Sequence, residues 1–320
     1  MSKFLIRRLL YMIPVLLLIS LVTFTLMKMT PGGPWDKGEG QRQVSQTQRE
    51  ILNRKFNLDK PEWQQYLLYM WGAIRGDLGP SFQYKDRNVS DILFEPPEGK
   101  GFWESKFGRS ATLGLIAAAI GLALGLPIGI LAAVKQNSWI DYLSLFIATL
   151  GTSVPSFVMA IFMILLFSYS LHWLPVIGDF SADWKPWVMP TIVLSFGLVA
   201  FLARLTRATM LEQLRQDYVR TARAKGLVER VVIFKHTLKN SLIPVATVMG
   251  PAVAGLITGT FFIEYMFSFP GMGRYFVQAI SQRDYSMIMG TTLFYALVIS
   301  LANLTVDVVY GWLDPRIKVS

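Results

Sequence analysis

Six apolar runs, each near or above the length of a membrane-crossing helix, leave this chain few folds to choose from. They are Leu9–Met27, Ala111–Val134, Tyr142–Ser168, Val188–Met210, Leu242–Ile263 and Met287–Tyr310. A helix needs about 20 predominantly apolar residues to cross a hydrocarbon core. The expectation is an all-α polytopic membrane protein with six transmembrane helices. Three regions follow: a first transmembrane helix over 1–29, a small external subdomain over 30–108, and a five-helix domain over 109–320. Residues 30–108 contain helix-like patches such as Pro61–Ile74, with breaks at Gly79-Pro80 and Pro96-Pro97, but nothing apolar enough to span.

Hydrophobic residues make up 52% of the chain and charged residues 16%, which excludes a disordered chain and fits poorly with a soluble domain. The net charge of +10 needs no nucleic acid to explain it, because the cations flank apolar runs. Segment 213–240 carries Arg215, Arg220, Arg223, Lys225, Arg230, Lys235 and Lys239 against Asp217 and Glu229. The loop 169–187 has Lys185 against Asp179 and Asp183, while Lys135 lies between the second and third runs. The positive-inside rule therefore puts both termini and 213–240 in the cytoplasm. Lys3, Arg7 and Arg8 look like a signal-peptide n-region, but the run behind them is too long and Thr30-Pro31-Gly32-Gly33-Pro34 is a poor cleavage site, so an uncleaved span is expected.

With no cysteine there is no disulfide framework or thiolate chemistry, and His172 and His236 are too few and too far apart for a metal cluster. Trp173, Trp184 and Trp187 read as interfacial anchors. Gly121, Gly125 and Gly129, with Gly114 and Ala118 on a similar face, form a smooth strip for close helix approach. Polar groups inside spans are costly and require a partner or a pathway. Arg204 and Arg207 lie late in the fourth run and Asp307 late in the sixth: either the arginines snorkel to the surface, or Asp307 pairs with one of them. Ser153, Pro155 and Ser156 fall about 15 Å into the third run, as a helix kink or as pathway wall.

The most informative loop is Asp217–Leu227. Its alanines and cations favour a helix, and Gly226 supplies a stop. Asp217 and Tyr218 begin it, with Asp217 suiting the positive end of the helix dipole. Ala222 and Ala224 keep it slim enough to enter a cleft, and Arg220, Arg223 and Lys225 are candidate partners for carboxylates on another protein. Outside the membrane, Pro270-Gly271 forces a turn, so Phe267, Phe269 and Met272, following Glu264, are candidates for an outer gate.

Taken together, Asp217–Leu227 followed by His236-Thr237-Leu238-Lys239-Asn240-Ser241-Leu242-Ile243-Pro244-Val245 resembles the cytoplasmic signature loop of ABC-importer membrane subunits. Glu264–Gly273, Arg283-Asp284-Tyr285, Asn303–Asp307 and Leu313-Asp314-Pro315-Arg316-Ile317 resemble the dipeptide/oligopeptide (peptide/nickel) branch. Arg7-Arg8-Leu9, Pro31–Pro34, Leu58–Pro61 and Gly76–Gly79 resemble the first of its two permeases. Ser286 and Lys239 depart from that pattern, where proline and arginine are usual, and 94–109 is longer and more charged.

The resemblance implies a type I ABC-importer fold in a prokaryotic inner membrane. It also implies a second homologous permease, two ABC ATPase subunits and an extracytoplasmic substrate-binding protein as partners, besides the lipid bilayer. The 217–227 helix would be the coupling helix. No phosphate loop occurs, since Gly99-Lys100-Gly101 lacks the upstream glycine and the Ser/Thr, so ATP and Mg are expected on the ATPase subunits and no cofactor in this chain. Alternatives are the same transporter type acting on nickel or oligosaccharides, or a membrane scaffold or receptor. No intramembrane Asp pair, Ser/His arrangement or His-Glu-x-x-His helix supports an enzyme.

Overall fold

The computed structural model describes residues 2–36 and 45–313, and among these there are helices and turns but no β-strand. The motif residues Asp314, Pro315, Arg316 and Ile317 lie outside the described residues. Helix α1 (Ser2–Met29) is followed by three short helices, α2 (Gln46–Lys55), α3 (Glu62–Ile74) and α4 (Val89–Phe94). Then come α5 (Lys106–Val134), α6 (Trp139–Ser153), α7 (Ser156–Met163, running on in wider turns to Ser170) and α8 (Lys185–Leu214). Short α9 (Asp217–Ala224) and α10 (Glu229–Val231) lead into α11 (Leu238–Ile257). Helices α12 (Phe261–Met266), α13 (Met272–Gln282) and α14 (Tyr285–Leu313) complete the order.

Five helical segments are long and apolar enough to cross a membrane, and α6 with α7 forms a sixth candidate bent by 99°. The third run is thus two helices and not one straight span. Val154 precedes a proline and is extended (φ −87°, ψ 120°), as the proline ring demands of its neighbour, and Pro155 has no N–H to continue the ladder.

Packing decides whether the bent pair crosses. Gly121 abuts Leu198, Gly125 abuts Val199 and Leu202, and Gly129 abuts Ala203 and Thr206, so α5 and α8 run parallel. The chain must therefore return between them. It does so along α8: Asp141 meets Arg207, Gly151 meets Ala200, and Met159 and Met163 reach the cluster around Met189 and Val193. Helix α11 runs against both, with Leu238 near Met210 and Leu256 against Gly114. Helix α14 runs against α11, Gly250 meeting Ala302 and Val306 while Gly255 faces Tyr295. Helix α1 lies antiparallel to α14, with Arg8 on Asp307 at one end and Lys28 over the Tyr285 ring at the other. Direction alternates through six passes, and the start of α1 and the end of α14 share one end.

The glycine strip makes the α5–α8 contact. A Cβ on Gly125 would lie 2.8 Å from the Leu202 Cβ, and one on Gly129 would lie 2.6 Å from the Ala203 carbonyl oxygen. With no hydrophobic drive between helices in lipid, such close approach contributes van der Waals packing to their association.

At the end opposite α9, residues from 76–94 pack on α13 and α14. Leu78, Val89, Ile92 and Leu93 share a buried cluster with Met272, Ala279 and Met287. Asp284 accepts from the Ser81 hydroxyl, and also from the Phe82 N–H at 3.1 Å. Trp173 and Trp184 are exposed, as interfacial anchors are, but Trp187 is not one. Its ring packs at 4.9 Å on Phe269, and its indole N–H donates to the Phe180 carbonyl at 3.0 Å.

Candidate functional site

Helix α9 is closed by glycine geometry. Gly226 sits at φ +73°, its N–H donates to the Arg223 carbonyl (2.9 Å), and the Leu227 N–H reaches the Ala222 carbonyl (3.4 Å), the paired bonds of a Schellman stop. Nothing lies within 4 Å of a Cβ placed there, so backbone conformation alone demands glycine.

One face of α9 seats it on the chain. Val219 and Ala222 are buried against Val232, in the turns that lead to α11. Tyr218 Oη donates to the Gln213 side chain (2.7 Å) and accepts from Asn240 Nδ2 (3.0 Å), tying α9 to the ends of α8 and α11. Ala222 is therefore small because its own chain crowds it, which corrects its assignment as a partner-facing residue. Arg223 is likewise engaged, with Nη2 and Nε donating to Glu229 at 2.7 and 3.1 Å. Asp217, Arg220, Thr221, Ala224, Lys225 and Leu227 are exposed, and Tyr218 and Arg223 stay exposed despite these bonds. Beside them stand Val228, Val231 and Phe234, exposed and apolar, which the motif reading passed over. Their signal was the apolar Leu227-Val228 pair directly after a helix-stopping glycine.

The segment Glu264–Met272 is a structural knot. Glu264 is 1% exposed, and its carboxylate accepts the Thr260 N–H (3.1 Å) and the Gly273 N–H (2.8 Å). Ser110 of α5 accepts the Met272 N–H at 2.8 Å. Gly259, Gly271 and Gly273 surround that carboxylate so closely that side chains there would collide with it. Phe267 and Phe269 are fully buried with Leu113 and Met189, Met272 packs with Leu93 and Met287, and Pro270 is half-buried. A gate residue must be free to meet the pathway or the second chain. These aromatics are spent on the chain's own core, so the outer-gate assignment is corrected. From α12 Phe262 and Tyr265 project outward, about one helical turn apart.

The inner ion pair is also corrected. Arg207 donates to Asp141 at the start of α6, through Nε and, at 2.8 Å, through Nη2, and Asp141 also accepts the Asn137 N–H at 2.9 Å. Asp307 pairs with Arg8 of α1 (3.2 Å), and Arg204 is exposed. The two pairs differ in burial: the Asp141 and Arg207 side chains are 1% and 19% exposed, those of Asp307 and Arg8 19% and 47%. Asp307→Asn is therefore expected to change stability by no more than about 1 kcal/mol, with uptake and melting temperature close to the parent. A loss as large as that from altering Asp141 would contradict this ranking.

Ser153, Pro155 and Ser156 lie at the bend between α6 and α7, all exposed on the single chain. No group of His, Cys, Asp or Glu among the described residues is arranged to hold a metal.

The family of binding-protein-dependent transport system inner membrane components matches residues 125–319, and the N-terminal family of such membrane components matches residues 1–87. The dipeptide transport system permease protein DppB of Bacillus subtilis (strain 168) is 41% identical over 322 residues, covering 100% of this chain and 99% of the relative. The oligopeptide transport system permease protein OppB of Escherichia coli (strain K12) is 38% identical over 318 residues, covering 99% of this chain and 100% of the relative. A solved chain of the MetNI methionine ABC transporter superposes with a TM-score of 0.49 at 17% identity, over 65% of this chain and 94% of its own. With family models matching at residues 125–319 and 1–87 and about 40% identity to two permeases along its whole length, the chain belongs to the family of binding-protein-dependent transport system inner membrane components.

Proposed function

We propose that this chain is one permease half of an ATP-driven, binding-protein-dependent importer of di- or oligopeptides. The full-length similarity to dipeptide and oligopeptide permeases carries the reading. The end bearing α9 faces the cytoplasm, supported by the cation excess of 213–240, and both helix ends at Arg8 and Asp307 lie there with it. A second permease completes the pathway, two ATPase subunits bind ATP and Mg, and an extracytoplasmic binding protein delivers substrate to the end formed by 76–94 and α13. Helix α9 is the coupling element. Its buried Val219–Ala222 face and Tyr218 bonds transmit push to α8 and α11, while Asp217, Arg220, Ala224, Lys225, Leu227 and the apolar Val228 meet the ATPase.

At the other working part, Ser153, Pro155 and Ser156 face the pathway. Hydroxyls and interrupted backbone are costly against lipid and inexpensive against water or protein.

Two measurements test this. In the cysteine-free chain, expressed without the ATPase subunits that would cover this position, Lys225→Cys should react with an impermeant maleimide only in inverted vesicles. Gly226→Pro cannot adopt the positive φ of the helix stop. The resulting misfit, about 1–3 kcal/mol, should lower uptake about tenfold, while the membrane helices insert normally. Labelling of Lys225→Cys in intact cells would reverse the orientation, and unchanged uptake by Gly226→Pro would remove α9 from coupling.

A further inference from the structure

Helix α3 carries no charge between Glu62 and Arg75. Along it Trp63, Leu67, Trp71 and Ile74 recur at helical spacing, and they are 63%, 55%, 58% and 75% exposed. Four large side chains on one narrow stripe make a patch that a water-facing helix rarely presents.

The flank beside this stripe shows where α3 lies. The Tyr66 hydroxyl stands 2.8 Å from the Ser20 Oγ and 3.3 Å from the Leu17 carbonyl oxygen, and its ring meets Phe24 edge-on at 5.6 Å. Ser20 sits two and a half turns inside α1, about 13 Å below Met29, within the apolar run. A tyrosine side chain covers part of that drop, which leaves the body of α3 at the depth of about 5–10 Å where interfacial helices rest. Near the N-terminal end of α3, the Lys28 ammonium donates to Gln65 at 2.7 Å and marks the polar boundary. At the other end, the Arg75 guanidinium lies 4.3 Å from the Trp71 ring centre, an apolar body under a cationic head.

The stripe is also continuous with a lipid-facing surface. Leu21 and Phe24 of α1 wall a single cleft with Trp63 and Leu67 of α3, and Leu18, Leu21 and Val22 are exposed on the spanning helix itself. Lipid that solvates α1 at this level necessarily touches α3.

We infer that α3 is an interfacial anchor whose Trp63–Leu67–Trp71–Ile74 face is immersed in acyl chains of the leaflet opposite α9. The occupant of that face is lipid. This rests on α1 spanning the bilayer and is independent of substrate and of coupling through α9. The segment between α1 and α5 then does more than project into water: it is moored beside α1, and that mooring holds the 76–94 cluster in place over α13 and α14.

The absence of native cysteine allows single nitroxide labels at Leu67→Cys and Trp71→Cys, both exposed, with Leu18→Cys on α1 and Lys85→Cys as lipid and water references. The assembled transporter is placed in phosphatidylcholine–phosphatidylglycerol vesicles. Collisions with molecular oxygen and with a water-soluble nickel chelate are then measured. The expected result is high oxygen access and lost nickel access at 67 and 71, matching 18 and opposite to 85. Nickel access equal to that at 85 would place the face in water. Loss of both collisions would place a protein surface on it. Either outcome overturns the inference.

Discussion

Glu264→Ala is expected to lower the melting temperature of the detergent-solubilised protein by roughly 10 °C and to cut the yield of assembled transporter sharply. The substitution leaves the Thr260 and Gly273 N–H groups without acceptors in a site closed to water. Each orphaned buried donor costs about 1–3 kcal/mol, and the vacated side-chain volume adds to that. Glu264→Gln should fall between parent and alanine. It preserves one acceptor oxygen but turns an amide NH2 toward a backbone donor. The carboxylate also joins three glycine positions and the α12–α13 turn to Ser110's neighbourhood on α5, so the damage should spread. Fluorescence-detected size exclusion after a temperature series reads this directly. An alanine variant melting within about 2 °C of the parent, less than 1 kcal/mol on this scale, would mean the knot is not a stability element.

Removing one partner of the Asp141–Arg207 pair should have a comparable effect. With Arg207→Ala, Asp141 is left buried with the Asn137 N–H as its remaining donor, and stranding a buried charge costs about 3–5 kcal/mol. The double variant Asp141→Ala/Arg207→Ala should be less damaged than the sum of the single variants, because removing both charges leaves neither stranded. The cycle isolates that coupling. Additive losses would show that the contact contributes nothing of its own. Replacing Arg204 should produce no such coupling with Asp141. The pair fixes the start of α6 beside the end of α8, so it sets where the bent α6–α7 pair begins its return.

Much of the architecture was legible because a bilayer imposes a simple rule on sequence. The apolar runs located the spanning helices, and glycines at every fourth position in α5 announced a close neighbour, which is α8. The Asp217–Gly226 helix and its stop were readable from propensity and from one glycine. Partner choice was not. Asp307 and Arg207 sit at similar depths, so span position alone suggested a pair. The structure puts α1 against α14 and α6 against α8, and each charge finds a different mate. Burial of Phe267 and Phe269 was equally hidden, since an aromatic-rich turn after a span reads alike whether it closes a pore or fills a core.

The sequence alone determined the class of fold, the positions of the long apolar helices, the cation excess of 213–240 and the α9 helix with its glycine stop. These depend on local quantities: run length, charge position and backbone conformation at one residue. Tertiary structure decided that the third pass is bent by 99° yet still returns the chain. It also decided that Glu264 binds backbone N–H groups rather than a ligand or gate, that Ala222 faces inward, and that α3 lies against α1 rather than free of it. Those outcomes depend on which distant segments meet. The composition of a helix restricts how closely a neighbour approaches, but it does not say which neighbour that will be.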